Sequence, residues 1–333
     1  MNQDQKNVVM NIPPVAEDIA LSAATRKFLA MLNSAGGAPI ESLSPKDARA
    51  ALLDAQASVD FDYSSVDFSD KTISVDGYTI RLNIVRPAGN NTVLPVFLFI
   101  HGGGWVLGDF PTHKRMVRDL VVQSGAVGVF VNYTPSPEAR YPQAINEIYA
   151  TTKWVAAHGS EINVDGKRLA IAGNSVGGNM ATVTALKSAL DNGPEIKVQI
   201  LMWPLADADF DRESYKRFGK DRFLTTPLMK WMYDNYTTNE EERQQIYASP
   251  LNATIDQLKN MPPTLIQVAE SDILRDAGEA YGRKLDEAGV TVTTIRYNGV
   301  IHDFGLLNGI ADIPQTRSLF VHAGAELKKY LFQ

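Results

Sequence analysis

The sequence predicts an α/β protein in which a mostly parallel central sheet carries helices on both faces. Three observations predict it. From about residue 78 onward, short β-rich runs alternate with helical stretches, which is the order that βαβ units with right-handed crossovers require. Several of these runs are apolar almost throughout, as strands covered on both faces are. A chain of 333 residues, 44% of them hydrophobic, can also bury one large core.

The individual strands follow from the apolar patterns. "YTIRLNIVRP" alternates like an exposed strand. Buried strands are predicted at "LPVFLFIH", "GVFVNY", "RLAIAGN" and "KVQILMW", and two later strands at "TLIQVAE" and "TVTTIRY". Helices are predicted in the connections, over residues 141–157 and 177–190.

Two regions interrupt this alternation. Residues 1–55 have a helical pattern without a strand, and residues 206–246 are polar, aromatic and predicted to be helical. We expect both to form a cap over the carboxyl edge of the sheet, where open α/β folds bind ligands. The alternative, two unrelated peripheral segments, stays open. The expected organisation is therefore a cap segment (1–55), a first core part (56–205), a cap insertion (206–246) and a second core part (247–333).

Composition excludes several classes of function. The net charge of −6 comes from interspersed acids and bases, so nothing attracts nucleic acid or an anionic membrane. The chain has no cysteine, which excludes disulfides, thiolate metal sites and a cysteine nucleophile. The first twenty residues lack the basic and apolar regions of a signal peptide, and no run reaches the length of a membrane span. We therefore expect a cytoplasmic protein.

The bend at Ser175 is typical of a displayed nucleophile. The stretch "RLAIAGNSVGGNMATV" passes from a β run into a helix-forming run with Ser175 at the corner, flanked by Gly173, Gly177 and Gly178. A hydroxyl on a strained turn without bulky neighbours suits nucleophilic attack. Because G-x-S-x-G also occurs in ordinary βα connections, the assignment depends on finding partners for the serine.

A serine nucleophile needs a base, and His302 is the best candidate among the five histidines. In "NGVIHDF" it directly follows the last predicted strand, so we expect it at the sheet edge from which Ser175 emerges. By contrast, His113, His158 and His322 lie in or near predicted helices with polar neighbours. We interpret these three as surface or structural residues.

The carboxylate that orients the base is predicted in "TLIQVAESDILRDAG". Asp272 follows the strand and lies between the serine and the histidine in chain order. Glu270 and Asp276 compete with it. Glu270 lies in or beside the strand, whereas Asp276 begins a predicted helix, where an acid needs no catalytic explanation.

Three consecutive glycines in "FIHGGGWVLGD" can supply an oxyanion hole. They follow a buried strand and leave backbone N–H groups unobstructed. A phosphate-binding loop is the rival interpretation, but neither the Lys-Ser/Thr of a P-loop nor G-x-G-x-x-G spacing is present. His101, at the end of the strand, could be a second base; we interpret it as holding this loop through hydrogen bonds.

Together these segments resemble the hormone-sensitive-lipase family (bacterial family IV) of α/β-hydrolases. "HGGGW", "GNSVGG", "ESDILRDAG" and "HDF" occur in the family's order, and the resemblance covers roughly residues 75–330. "NYTPSPEARYPQA" and "ASPL" stand where the family has Y-R-L-A-P-E-x-x-x-P-A and S-P-L. The resemblance implies an α/β-hydrolase fold with a helical cap.

The resemblance also implies roles for individual residues. Ser175 would be the nucleophile, His302 the general base and Asp272 its orienting acid. The oxyanion hole would be formed by the N–H groups of Gly103, Gly104 and Val176. Members of this family are mostly carboxylesterases that act on short acyl chains, so the resemblance implies a small-molecule ester substrate and no cofactor.

The sequence departs from the family at three places. Asn174 and Val176 replace the acid and the alanine of G-D-S-A-G-G, and Thr134 with Pro135 replaces Arg-Leu, which removes an ion pair. Val176 contributes through its backbone, so we expect the departures to affect substrate preference more than mechanism.

Several other features have structural explanations. The alternating acids of "DADFD" (207–211) lack the glycine and glutamate of a calcium loop, so a solvated cap segment is expected. The aromatic residues of "KWMYDNY", Trp231, Tyr233 and Tyr236, have the spacing of a packed helix face, with a place in the acyl pocket as the alternative. Trp105 is interpreted as structural, or as bordering the pocket.

The sequence as a whole predicts a serine carboxylesterase. The alternatives are lactone or amide hydrolysis by the same three residues, and a non-catalytic small-molecule receptor on the same fold. A receptor has no need to keep a serine, an acid and a histidine together, and all three are present. A homodimer is compatible with this architecture, whose edge strands often pair, although no residue singles out an interface.

Overall fold

The computed structural model describes residues 12–333, in which an eight-stranded sheet forms the centre. The strands are β1 (Val66–Val75), β2 (Tyr78–Pro87), β3 (Leu94–Ile100), β4 (Val127–Asn132), β5 (Val164–Asn174), β6 (Gln199–Met202), β7 (Thr264–Ser271) and β8 (Val292–Ile301). Their spatial order is β1-β2-β4-β3-β5-β6-β7-β8. β2 pairs antiparallel with both β1 and β4, whereas all other pairs are parallel. The predicted fold class, an α/β-hydrolase with a mostly parallel sheet, is confirmed.

Helices fill the connections between the strands. They are α1 (Ala23–Ser34), α2 (Pro45–Ala57), α3 (Phe110–Ser124), α4 (Gln143–His158), α5 (Val176–Leu190), α6 (Glu213–Phe218), α7 (Thr226–Tyr236), α8 (Glu240–Gln244), α9 (Ile255–Leu258), α10 (Arg275–Glu287) and α11 (Pro314–Leu331). Single turns of 3-10 helix occur at Val15–Glu17, Ile40–Ser42, Gly159–Ile162, Pro250–Asn252 and Asn308–Ile310. The helices predicted over 141–157 and 177–190 correspond to α4 and α5.

The core lies on both faces of the sheet, as the continuous apolar runs predict. In β3 every residue is buried. Leu98 and Ile100 join the apolar cluster on one face, while Phe97 and Phe99 join the cluster on the other. Alternate side chains of a strand point to opposite faces, so an apolar residue is required at every position.

Strand β1 is missing from the predictions, which placed the first strand at residue 78. Most of its side chains are exposed, so it carries no continuous apolar run. Its pairing with β2 is made by the two-residue turn Asp76-Gly77, where both residues have positive φ. An Asp-Gly pair between β-rich runs is a strong hairpin signal, and it could have located this strand.

The two regions expected to be helical contain helices in the part of the chain that is described. Residues 12–57 contain α1 and α2, with one isolated bridge from Leu21 to Gly299; residues 1–11 of the predicted segment lie outside the described residues. Within 206–246 the chain forms α6, α7 and α8. Helix α7 lies beside the 3-10 turn Ile40–Ser42, so the two regions are in contact.

A search of the helices over residues 12–333 finds none that combines the length and the apolar character needed to cross a bilayer.

Candidate active site

Ser175 lies at the corner between β5 and α5, in a backbone conformation that favours glycine. Its φ is 55° and its ψ is −125°, which costs a non-glycine residue of order 1–3 kcal/mol and persists only where the surroundings enforce it. Glycines allow the backbone segments at this corner to approach each other closely. A β-carbon on Gly177 would overlap the carbonyl oxygen of Ile100, and one on Gly173 would overlap that of Gly177. The Ser175 hydroxyl does not cap α5 and is thus available to other partners.

His302 and Asp272 complete a row of hydrogen bonds that starts at Ser175. Nε2 of His302 lies 3.0 Å from the serine Oγ, and Nδ1 lies 2.7 Å from Oδ2 of Asp272. Because an ionised carboxylate can only accept, Nδ1 carries the proton and Nε2 is left to accept one from the serine. All three side chains are at most 4% exposed. Each follows the carboxyl end of a parallel strand, β5, β7 or β8, which is why the sheet brings them together.

The competing acids are engaged elsewhere. Glu270 accepts a hydrogen bond from the N–H of Gly299, 2.8 Å away. Asp276 lies in the first turn of α10, pairs with Arg275 and accepts from the N–H of Ser214. Among the three candidates, Asp272 is the one whose carboxylate is hydrogen-bonded to His302.

The glycine loop after β3 folds back on itself, and one of its residues, Trp105, has a backbone conformation that is strained for a non-glycine residue. Gly103, Gly104 and Trp105 all have positive φ, and the carbonyl of Gly103 accepts from the N–H groups of Val106 and Leu107. In the described part of the chain, the N–H groups of Gly103 and Gly104 donate to no protein acceptor. Two free donors on a tight turn can bind an anion.

Helix α7 of the insertion lies against this loop. The thioether of Met232 occupies the space where a β-carbon of Gly104 would be. Trp105 stacks on Tyr236 at 4.0 Å and meets Tyr233 edge-on at 5.0 Å. Tyr233 and Tyr236 are buried, as a packed helix face requires, whereas Trp231 is partly exposed.

In residues 12–333, His302 is the histidine whose ring is hydrogen-bonded to the serine. His101 is buried, and its Nδ1 lies 2.8 Å from the carbonyl oxygen of Gly102. Burial lowers its pKa to about 4, so the ring is neutral near pH 7, in agreement with a role in holding the loop. His113 is buried and hydrogen-bonded to Thr112, and burial also lowers its pKa. His158 is exposed beside Glu161, and His322 is partly exposed on α11.

Asp303 is a buried acid beside the histidine that the sequence reasoning missed. Its Oδ1 accepts from the indole N–H of Trp203, 2.8 Å away, and from the amide of Asn174, 3.1 Å away. Its Oδ2 lies 3.8 Å from Nε2 of His302. The sequence signal was the acid of "HDF", adjacent to the histidine.

The same contacts explain why an amide stands at position 174. Oδ1 of Asn174 accepts from the N–H of Gly102, while its Nδ2 donates to Asp303. A carboxylate at position 174 could accept the first hydrogen bond but would face the carboxyl of Asp303 at the second. In this protein the amide of Asn174 therefore makes both hydrogen bonds, whereas an ionised carboxylate could make only the first.

Two carboxylates raise the pKa of His302. Burial by itself lowers this pKa, but the negative charges of Asp272 and Asp303 and the hydrogen bond to Asp272 outweigh it. Asp303 itself has a raised pKa because it is buried. The imidazolium that would form when His302 takes a proton is thereby stabilised.

One expectation about the "DADFD" stretch is wrong. Asp207 is buried rather than solvated, and it pairs with Arg212. Burial of a carboxylate requires such a partner. Asp209 and Asp211 are exposed as expected, and no cluster of metal-ligating side chains occurs in residues 12–333.

A hydroxyl, an imidazole and a carboxylate in a hydrogen-bonded row, together with free backbone donors, form the arrangement that serine hydrolases use. A protein-family model with the description "alpha/beta hydrolase fold" matches residues 97–306 of this chain. The chain belongs to this α/β-hydrolase family, in agreement with the resemblance to its hormone-sensitive-lipase members.

Individual relatives extend the match to nearly the whole chain. An α/β hydrolase of Acanthamoeba polyphaga mimivirus is 35% identical over 304 residues, covering 91% of this chain and 86% of the relative. An ethyl acetate hydrolase of Pseudomonas putida is 30% identical over 279 residues, covering 82% and 87%. The crystal structure of a thermostable esterase from Pseudomonas putida superposes with a TM-score of 0.92 at 58% identity, covering 93% of this chain and 98% of the other.

Proposed function

We propose that this protein is a serine carboxylesterase that hydrolyses short-chain acyl esters through an acyl-enzyme. It is a carboxylic ester hydrolase, like the esterases to which it is similar over most of its length. The observation that carries the mechanism is the row Ser175, His302, Asp272, whose two hydrogen bonds measure 3.0 and 2.7 Å. Its substrate is a small-molecule ester.

Each side chain has a distinct part in the proposed reaction. Nε2 of His302 takes the hydroxyl proton as Oγ of Ser175 attacks the ester carbonyl, and it then passes that proton to the leaving alkoxide. Asp272 keeps the proton of His302 on Nδ1 and stabilises the imidazolium. Water, activated by the same nitrogen, attacks the acyl-enzyme and releases the acid.

The negative charge on the tetrahedral oxygen would be bound by backbone donors. The N–H groups of Gly103 and Gly104 come from the loop after β3, and that of Val176 is the first of α5. The N–H groups of a first helical turn have no acceptor within the helix, and the helix dipole favours an anion there. These donors are fixed before the reaction, so stabilising the oxyanion costs little reorganisation.

A short acyl site is proposed from the packing around the nucleophile. Ser175 and His302 are almost fully buried, and Met232 and Trp105 lie at the glycine loop. A pocket enclosed by such side chains meets a wall after a few methylene groups. A cytoplasmic location and a homodimer stay predictions from the sequence.

Replacing Ser175 by alanine tests the mechanism. We expect Ser175→Ala to lower turnover of p-nitrophenyl acetate on the order of a million-fold, as loss of the nucleophile does in serine hydrolases. The melting temperature should stay near that of wild type, because this hydroxyl does not cap α5. Thr184→Val is the matched control: it removes a buried hydroxyl within α5 that has no hydrogen-bond partner among residues 12–333, and it should keep activity.

A second measurement does not depend on the variant. A fluorophosphonate probe should label wild-type protein on one peptide, the one that contains Ser175, and this labelling is read by mass spectrometry. Near wild-type turnover in Ser175→Ala, or labelling at another serine, would overturn the assignment. A panel of esters, lactones and amides then identifies the bond class that is hydrolysed fastest.

A further inference from the structure

Arg49 of α2 joins the N-terminal helices to the glycine loop. Its Nε donates to the carbonyl of Val106 at 2.7 Å, and one of its terminal nitrogens donates to the carbonyl of Ser136 at 2.9 Å. The guanidinium also forms a two-pronged ion pair with Glu138, at 2.6 and 2.7 Å. One side chain thus connects α2, the loop after β3 and the loop after β4.

The glycine loop needs restraint from outside. Trp105 has a φ of 62°, which is strained for a residue other than glycine, whereas glycine adopts the positive φ of Gly103 and Gly104 without strain. Strain of this kind persists where neighbouring contacts enforce it. Inside the loop the restraint is the pair of hydrogen bonds to the carbonyl of Gly103. From outside, the N–H of Ser136 donates to the carbonyl of Trp105 at 2.9 Å.

Arg49 fixes both sides of that contact. It holds the carbonyl of Ser136, whose N–H bonds Trp105, and it holds the carbonyl of the next loop residue, Val106. Hydrogen bonds with Glu138 raise the pKa of Arg49 and lower that of Glu138, so the pair stays charged. A partly exposed ion pair contributes little to stability by itself. The main consequence of placing Arg49 here is therefore its two hydrogen bonds to the carbonyls of Val106 and Ser136.

We propose that Arg49 is a positioning residue for the oxyanion hole: by fixing Val106 and Ser136 it holds the N–H groups of Gly103 and Gly104 where the tetrahedral oxygen develops. The proposal rests on the proposed function, because it assigns a reaction to those donors. An error of about 1 Å in such a constellation can lower a rate about 100-fold. Removal of Arg49 should therefore impair transition-state binding more than substrate binding.

The test compares Arg49→Ala with Lys71→Ala, which removes an ion pair with Glu161 that is exposed on both sides and joins β1 to the 3-10 turn Gly159–Ile162. We expect Arg49→Ala to lower kcat for p-nitrophenyl acetate about 10- to 100-fold, with KM within about twofold. Lys71→Ala should match wild type. Arg49→Lys should recover only part of the rate, because an ammonium is a point charge without the guanidinium fork.

Two further readouts separate positioning from a purely structural role. A trifluoromethyl ketone accepts the serine oxygen and presents an oxyanion, so its affinity should fall by the same factor as kcat in Arg49→Ala. Millimolar guanidinium should restore part of kcat in this variant and leave Lys71→Ala unchanged. Melting temperature and the number of active sites titrated by a fluorophosphonate should equal those of the control.

Three outcomes would overturn the role of Arg49: kcat within twofold of wild type, a raised KM with kcat retained, or a rate loss explained by fewer titrated sites. Failure of the proposed function would be distinguishable from these results, because wild-type protein itself would then neither hydrolyse the ester nor bind the ketone.

Discussion

At the scale of single residues, the surroundings of His302 decide its chemistry. Asp272 lies on the Nδ1 side and Asp303 on the Nε2 side, at 2.7 and 3.8 Å. The Ser175 hydroxyl lies 3.0 Å from the imidazole, and the serine β-carbon lies beside Gly102 of the glycine loop. Asp303 accepts a second set of hydrogen bonds from Asn174 and Trp203, which are both buried. Buried polar groups of this kind are costly unless all their partners are in place.

Replacing the acid distinguishes Asp272 from its neighbour. We expect Asp272→Asn to lower turnover by roughly four orders of magnitude, because an amide favours the wrong tautomer of the histidine. Asp276→Asn should have a much smaller effect, since Asp276 contacts Arg275 and Ser214 instead. Steady-state kinetics of both variants check this, and equal or reversed effects would show that the wrong carboxylate was assigned.

The raised pKa of His302 predicts the pH dependence. The base works when it is unprotonated, so kcat/KM should fall as the pH drops through the pKa of His302 in the free enzyme. That pKa is raised above its ordinary value by Asp272 and Asp303, which places the acid limb above about pH 6.5. Asp303→Asn removes one charge and should move the limb to lower pH.

The asparagine variant is a conservative one. Its side-chain oxygen can still accept from Trp203 and Asn174, and asparagine tolerates the positive φ of 60° at this position. The pH profile of kcat/KM is the measurement. An unchanged or higher acid limb in Asp303→Asn would contradict the prediction, whatever the variant's rate at its optimum.

At the scale of elements, the corner at Ser175 between β5 and α5 depends on the close approach of α5 to β3. The first turn of α5 lies against the end of β3, where Gly177 meets the carbonyl oxygen of Ile100. In an open helix position, Gly→Ala is stabilising by about 1 kcal/mol. Here the added methyl group has no space, so the sign of the effect should reverse.

Gly177→Ala tests this packing. We expect a loss of about 1–3 kcal/mol in the free energy of unfolding, as overpacking causes, with a loss of activity because Ser175 is displaced. Gly289→Ala is the control: its φ is +81°, but no atom of residues 12–333 lies within 4 Å of where its β-carbon would be, so it should cost about 1 kcal/mol and keep activity. Urea unfolding with kinetics measures both. A Gly177→Ala variant as active and stable as wild type would contradict the packing argument.

At the scale of the whole molecule, the N-terminal helices are tied to the rest of the chain by buried polar contacts. Arg222 of the insertion pairs with Asp18 at 2.7 Å, and both side chains are buried. The amide of Gln56 donates to the carbonyls of Thr112 and Leu306. Breaking one partner of a buried ion pair typically costs about 3–5 kcal/mol, so these helices should be integral to the folded state.

Removal of residues 1–40 tests their part in the substrate site. In the intact enzyme we expect kcat/KM on p-nitrophenyl esters to peak at short acyl chains, because each methylene is favourable by about 1–3 kcal/mol only until the chain meets a wall. The shortened protein should be less stable and should lose this preference. Chain-length profiles of both forms decide it. A preference of the intact enzyme for long-chain emulsions would refute a closed pocket, and an unchanged profile after deletion would exclude residues 1–40 from it.

A pair of substitutions tests the attachment of the N-terminal helices while leaving them in the protein. Asp18→Asn leaves Arg222 buried without its anion, while Asp70→Asn affects an exposed pair with Arg81. Only the first should lower stability markedly. This separates the attachment of the N-terminal helices from the effect of deleting them.

The sequence by itself determined the features that local patterns encode. Continuous apolar runs predict strands buried on both faces, since every side chain of such a strand meets a packed layer. Glycines around Ser175 and after β3 predict tight turns because the backbone there admits no side chain. The chain order of serine, acid and histidine at strand ends predicts that they meet, since parallel strands end at one edge of the sheet.

Only the tertiary structure decided the contacts that no local pattern records. Asn174 and Asp303 are 129 residues apart, and Arg49 and Val106 are 57 apart. Nothing near any of these residues in the chain indicates its partner. Strand β1 was missed for a different reason: most of its side chains are exposed and form no apolar run, and the local signal that remained was the Asp76-Gly77 turn to β2. Pairing and polar satisfaction depend on which groups the folded chain brings within about 3 Å of each other, and that distance is set by the packing of the whole sheet.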